Sequence, residues 1–155
     1  MTTLTLYQPW ASAMFIPRPD ALAQMLKGFE TRGFRPTERM LKPGDRLAIH
    51  SGKADNEELR DWWMSRVKNT VYGAAFAATG LYNWTDLPFG KVIGNGIFVG
   101  AFPTETLLAN DAVDVIEQHW GNYGPGRFGW QMQQMVQLPL PVPCRGRQSL
   151  FDWQG

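Results

Sequence analysis

A chain of 155 residues is most simply one domain, long enough to bury roughly two-thirds of its unfolded surface. Fifteen Lys+Arg against fourteen Asp+Glu leave a formal charge of +1, so no overall basic field announces a nucleic-acid partner and any anion site has to be local. No run approaches the ~18 apolar residues of a membrane span, and Cys144, with only His50 and His119 for company, offers neither a disulfide framework nor a zinc-ligand spacing.

The N-terminus begins in a strand-like alternation rather than a signal segment, so a cytoplasmic protein is expected, with no metal and no cofactor. A monomer is the favoured state. Seven Trp, nine Phe and four Tyr combined with sixteen Gly and eleven Pro suit short strands and shaped loops better than a helical bundle.

In chain order, Leu4 and Leu6 alternate with Thr3, Thr5 and Tyr7 as a strand that Pro9 ends. Trp10 to Phe15 reads as a helical turn or two. Asp20 is placed to cap a helix burying Leu22, Met25 and Leu26, with Gly28 as its stop. An extended Phe29 to Phe34 would turn Glu30 and Arg32 to one face and Phe29 and Thr31 to the other.

Pro43-Gly44-Asp45 is turn chemistry ahead of a strand from Arg46 to His50. Asn56 to Lys68 has helical periodicity, acid at its start and base at its end, with Leu59, Trp62, Trp63 and Val67 on its buried side. "LPFGKVIGNGIFVGAF" predicts strands bent or bulged at glycine. Asp111 to Trp120 predicts a helix capped near Asn110 or Asp111. The closing stretch predicts a glycine loop, one or two strands, a proline-rich bend over 138–143 and an aromatic tail. The whole reads as one α+β domain, residues 1–155, built as a small mixed β-barrel with flanking helices and a helical insertion at about 54–90.

Several stretches together resemble the ASCH family of the PUA-like superfamily, in its bacterial and phage-borne subgroup. They are "LTLYQPWASAMF", the Lys27, Glu30, Arg32 signature, "DRLAIHSGK", and "GPGRFGW" followed by "LPLPVPCRGRQSLFDW". The resemblance covers nearly the whole chain except much of the insertion. It implies a compact PUA-like barrel whose cleft holds the Lys/Glu/Arg signature, and RNA or a modified nucleoside as partner. Two catalytic activities are implied as alternatives, ribonuclease cleavage of single-stranded RNA and hydrolysis of N4-acylcytidine. The amidohydrolase branch has threonine as its proposed nucleophile where this chain carries Glu30, so that route cannot be assigned here.

The residues support a related reading by themselves. Lys27 and Arg32 on one cleft wall would favour the carboxylate form of Glu30, which could then orient an amino group or act as a base toward water, while the cations meet phosphate or a developing oxyanion. A structural salt-bridge cluster is the competing explanation. His50, Ser51 and Lys53 end a predicted strand, where a histidine can trade protons and a lysine can meet phosphate. Tyr7, Gln8 and Trp10 can stack on a base or read its edge, although burial is the commoner fate of a ring in Trp10's position.

"GPGRFGW" lacks the lysine and hydroxyl of a nucleotide-binding loop, leaving Arg127 as a rim contact and Phe128 and Trp130 as core. Arg145 and Arg147 form a small basic patch suited to an RNA backbone. Glu117 is a weaker candidate for a second cleft carboxylate, with a solvated helix face as its expected place. A non-catalytic RNA-binding or protein-interaction module stays open beside the hydrolase.

Overall fold

A computed structural model describes residues Met1–Gly155 as a mixed α+β fold. The strands are β1 (Thr2–Leu6), β2 (Phe29–Arg32), β3 (Arg46–Ser51), β4 (Lys91–Pro103), β5 (Phe128–Pro143) and β6 (Leu150–Asp152). The helices are α1 (Trp10–Ala13), α2 (Glu57–Trp63), α3 (Val71–Ala77), α4 (Thr104–Ala109) and α5 (Val115–His119). One sheet holds every strand, in the order β2-β5-β4-β3-β1-β6; β1 and β3 run parallel and the remaining pairs antiparallel.

The sheet curls into a half-barrel. In a flat sheet β2 and β1 would lie about 19 Å apart, four spacings of ~4.8 Å, beyond the reach of any side chain. Yet Arg32 Nη2 on β2 donates to the Thr5 carbonyl on β1 at 2.9 Å. The curvature has a visible source in β4, whose register against β5 shifts at three places and against β3 at one. Gly94 sits in this stretch because a Cβ there would press on the Val136 carbonyl and the Phe15 ring. β6 covers β1 only from Thr2 to Leu4, so a seam opens between the end of β1 and β2.

The inner face of the sheet packs Leu4, Leu6, Leu47, Ile49, Phe98, Trp130 and their neighbours into one core. A second core joins the 54–90 insertion to the body: Trp63, Val67 and Phe76 pack with Ala13, Ile16, Leu26 and Trp120. The insertion therefore packs outside the barrel and is welded to α1 and α5.

Most predicted elements form, with corrections. Asn56 caps α2 by accepting from the Leu59 amide at 2.9 Å, but the helix opens into a π-turn over Met64–Lys68 before α3. No helix forms at 20–28. The Asp20 carboxylate is taken by Arg18, the Leu26 and Lys27 amides bond back to Ile16 and Ala13, and Leu22 is left exposed, so nothing rewards helix formation there. The helix expected at 111–120 starts four residues later than its first expected residue, because Asp114 and not Asn110 or Asp111 supplies the cap.

The predicted bend at 138–143 falls within β5, where residues 138–141 bulge out of register between the Gly94–Gln137 and Val92–Val142 pairs. β2 pairs with β5 only from Phe128 to Gln131, so beyond it β5 has one unpaired edge, where proline's missing N–H costs little. No helix is long and apolar enough to cross a membrane.

Candidate functional site

The seam is a cleft of about 1130 Å³, the larger of the two principal hollows in the molecule. Its floor is β2. The alternation anticipated for this strand holds: Phe29 packs with Leu107 and Val113, while Glu30 and Arg32 are part-buried and border the hollow. Lys27 precedes the strand and is fully buried, its Nζ donating to the Trp120 carbonyl at 2.7 Å and lying 3.2 Å from Glu30 Oε1. Arg32 holds the other carboxylate oxygen, with Nε and Nη2 each 2.9 Å from Glu30 Oε2.

The three charges thus form one connected unit with a net positive charge. The Glu30 side chain remains 13% exposed, so a guest in the cleft can still touch it. Thr31 also borders the cleft, but its hydroxyl accepts from the Asn122 amide at 2.9 Å.

A second carboxylate lies behind this floor. Glu117 is buried where a solvated helix face was expected, because α5 turns inward and Oε1 accepts the Gly28 amide at 2.6 Å. Oε2 has no partner. Burial pushes the Glu117 carboxyl up to about 7, while the Lys27 ammonium and the Gly28 and Phe29 amides pull it back. The Tyr123 hydroxyl is likewise buried and unpartnered, and burial together with Glu117 and Glu30 raises its pKa.

His50 borders the hollow from behind the rim and is almost wholly buried. Its Nε2 is 2.7 Å from the Cys144 carbonyl and its Nδ1 is 3.1 Å from Thr5 Oγ1. A carbonyl only accepts, so Nε2 carries the proton and Nδ1 receives the threonine hydroxyl. With both nitrogens occupied and the ring 1% exposed, His50 is not placed to trade protons with a guest. Burial lowers its pKa, helped by Lys53 and opposed by the Cys144 bond.

Gln8 and Ser51 do not line the cleft. Both are buried and donate to the Pro88 carbonyl, and Gln8 Oε1 also accepts the Ser12 amide at 3.1 Å. They tie α1 and β3 to the insertion. Tyr7 and Lys53 do stand at the mouth, both exposed. Arg127 borders the hollow with its guanidinium donating to the Thr31 carbonyl at 3.0 Å and the Asn122 carbonyl at 3.2 Å. Arg145 and Arg147 line the opposite rim, exposed and with no partner in the chain. Phe128 and Trp130 pack in or against the sheet core as expected.

One wall is aromatic, and the sequence reading found only Trp10 of it. Trp10 is half-buried and faces Trp62 with ring centres 4.6 Å apart; Trp62 in turn meets His119 at 5.4 Å and Trp120 at 5.6 Å. Trp62 belongs to α2, so the insertion contributes directly to the cleft. His119 Nε2 and Trp120 Nε1 are buried without partners, and burial lowers the His119 pKa. Helical periodicity located Trp62 correctly on the inward side of α2, but could not tell a core neighbour from an open hollow.

No family model matches the chain, and no curated protein matches it.

Proposed function

We propose that this chain is an ASCH-type protein that binds single-stranded RNA or a modified nucleoside in the seam, with a base against the aromatic wall and phosphate at the rim. The observation that carries the reading is the distribution of charge. Six of the fifteen lysines and arginines border the cleft, against one of the fourteen acidic residues, in a molecule whose formal charge is only +1. A concave site enriched in one sign of charge focuses its field on an anionic guest.

The neighbouring rings supply what a bare anion site lacks. Bases stack on indole faces whatever their sequence, and single strands expose those faces. Glu30, at the floor, is an acceptor for a base's amino group, with Lys27 and Arg32 fixing its orientation.

Hydrolysis of the guest is the second reading, favoured by one observation: Glu30 is the only carboxylate bordering the cleft, and it sits between two cations. It would serve as the base toward water while Lys27 and Arg32 stabilise the developing negative charge. His50 has no free nitrogen for such a step, and the Thr31 hydroxyl already accepts from the Asn122 amide.

The test is a titration of the protein with a ten-nucleotide oligouridylate and with cytidine and N4-acetylcytidine, followed by tryptophan fluorescence, with mass spectrometry of the same mixtures. Quenching that is reduced in Trp62→Phe supports stacking, and absence of quenching by every probe refutes the binding reading. Cut RNA or released acetate that disappears in Glu30→Gln with binding intact identifies an enzyme. Binding with no product leaves a binding module.

A further inference from the structure

Residues 144–149 form a strap between β5 and β6 that runs along the cleft mouth. Arg145 and Arg147 project from it with all ten N–H donors of their guanidiniums unused by the chain. An exposed loop carrying two free cations would ordinarily wander, and the energy of ordering it would fall on ligand binding. This one is pinned from beneath.

The pin is His50. The pairing of β1 with β3 sets Thr5 beside His50, and the threonine hydroxyl fills Nδ1, which commits the ring to donate from Nε2 to the Cys144 carbonyl at 2.7 Å. Phe151 of β6 meets the ring edge-on, with centres 6.0 Å apart, so the imidazole is held from the far end of the strap as well. Gly146 lies flat on it. A Cβ at that position would come within 2.7 Å of Nδ1 and closer still to Cε1. The glycine between the two arginines is therefore a contact requirement, which lets the strap sit down on the ring while the flanking side chains point away.

We propose that His50 is a positioning residue, a neutral clasp that holds the Arg145-Gly146-Arg147 strap at the cleft mouth so that both guanidiniums meet successive phosphates of a single strand. The phosphate assignment rests on the nucleic-acid reading above; the clasp does not. Burial keeps the proton off Nδ1, so the arrangement that donates to Cys144 and accepts from Thr5 is the one present at neutral pH. The charge of Lys53 acts in the same direction.

Two experiments on the full chain decide it. The first is limited trypsin digestion of the native protein, read at the bonds following Arg145 and Arg147, which are cut only when the strap lifts. His50→Leu removes both hydrogen bonds, Gly146→Ala lifts the strap while leaving His50 in place, and His50→Gln keeps a donor at the Nε2 position. Cleavage at the two arginines is expected to rise roughly five- to tenfold in the first two variants, the open population that losing one ordinary hydrogen bond releases. In His50→Gln it stays near the parent value, and cleavage elsewhere is unchanged in all three.

The second is affinity for a ten-nucleotide oligouridylate. Gly146→Ala and His50→Leu are expected to weaken it measurably but less than Arg145→Ala with Arg147→Ala does, because both cations remain on the loosened strap, and adding either to that double variant brings no further loss. Unchanged strap cleavage in Gly146→Ala overturns the clasp, as does a His50→Gln protein no better protected than His50→Leu. A parent protein that does not bind oligouridylate overturns the phosphate assignment, and the trypsin result then decides the clasp by itself.

Discussion

The floor and the rim of the cleft carry the same kinds of charge and treat them in opposite ways. On the floor, Lys27, Glu30 and Arg32 satisfy one another and two backbone carbonyls, leaving the exposed edge of Glu30 and the Arg32 Nη1 donors for a guest. At the rim, the side chains of Lys53, Arg145 and Arg147 make no hydrogen bond or ion pair with the chain. The difference separates charge that shapes a site from charge that waits for a ligand. Buried ions are costly unless paired, so the floor is tightly connected; exposed ions cost nothing to leave free.

The largest expected effect comes from breaking the floor. Lys27→Met removes the only fully buried cation of the group and leaves Glu30 half-paired and the Trp120 carbonyl empty. Loss of one partner from a buried pair costs about 3–5 kcal/mol, measured by urea unfolding. Arg145→Ala with Arg147→Ala should change stability by no more than about 0.5 kcal/mol, as surface substitutions do. Equal effects from the two variants would erase the contrast between floor and rim.

Next in size is the pH dependence that Glu117 imposes from behind the floor. A carboxyl raised to about 7 in the folded chain binds its proton more tightly there than when unfolded. Its contribution to stability is therefore full below the ordinary carboxylate pKa and is lost as pH rises toward 7. The loss is on the order of 3 kcal/mol across that window, at ~1.4 kcal/mol per unit. Glu117→Gln, which keeps an acceptor for the Gly28 amide, should flatten this dependence; an unchanged stability profile between pH 4.5 and 7 would show that the carboxyl titrates normally.

Smaller again is the aromatic wall. Trp62→Ala should weaken oligouridylate binding by about 1–3 kcal/mol, the worth of one stacked base, with free nucleoside affected as strongly. A loss confined to the oligonucleotide would move the base elsewhere. The smallest effect sharpens the rim: Arg127→Ala should lower affinity less than Arg145→Ala, because Arg127 already spends donors on the Thr31 and Asn122 carbonyls.

How much of this was legible in the sequence follows the range of the interactions involved. The facing of Glu30 and Arg32 was readable because a strand's period is two, and β2 obeys it. The Asn56 to Lys68 helix was readable because its apolar spacing and cap are local. Gln8 and Ser51 were misplaced because their partner, the Pro88 carbonyl, lies 37 or more residues away. Asp20 failed as a cap for the same reason: Arg18, which takes it, is itself fixed by Asp114 across the fold.

Glu117 carried the weakest local signal and is nevertheless buried. Nothing in its neighbourhood says that α5 turns that side inward onto Gly28. Trp62 and His119 became cleft residues only because the insertion packs against α1 and α5, a pairing that no spacing within 54–90 encodes. The curl of the sheet is in the same class. The glycines of β4 announced bulges, but closure to a seam depends on Arg32 finding Thr5.

The reading of the cleft as a single-stranded nucleic-acid site is tested most directly by the salt dependence of oligouridylate affinity. Three unpartnered cations at roughly 0.7 per phosphate contact predict a slope of log K against log salt near −2, made shallower by about 1.4 in Arg145→Ala with Arg147→Ala. A flat slope, or the same slope in the parent and the double variant, would contradict it.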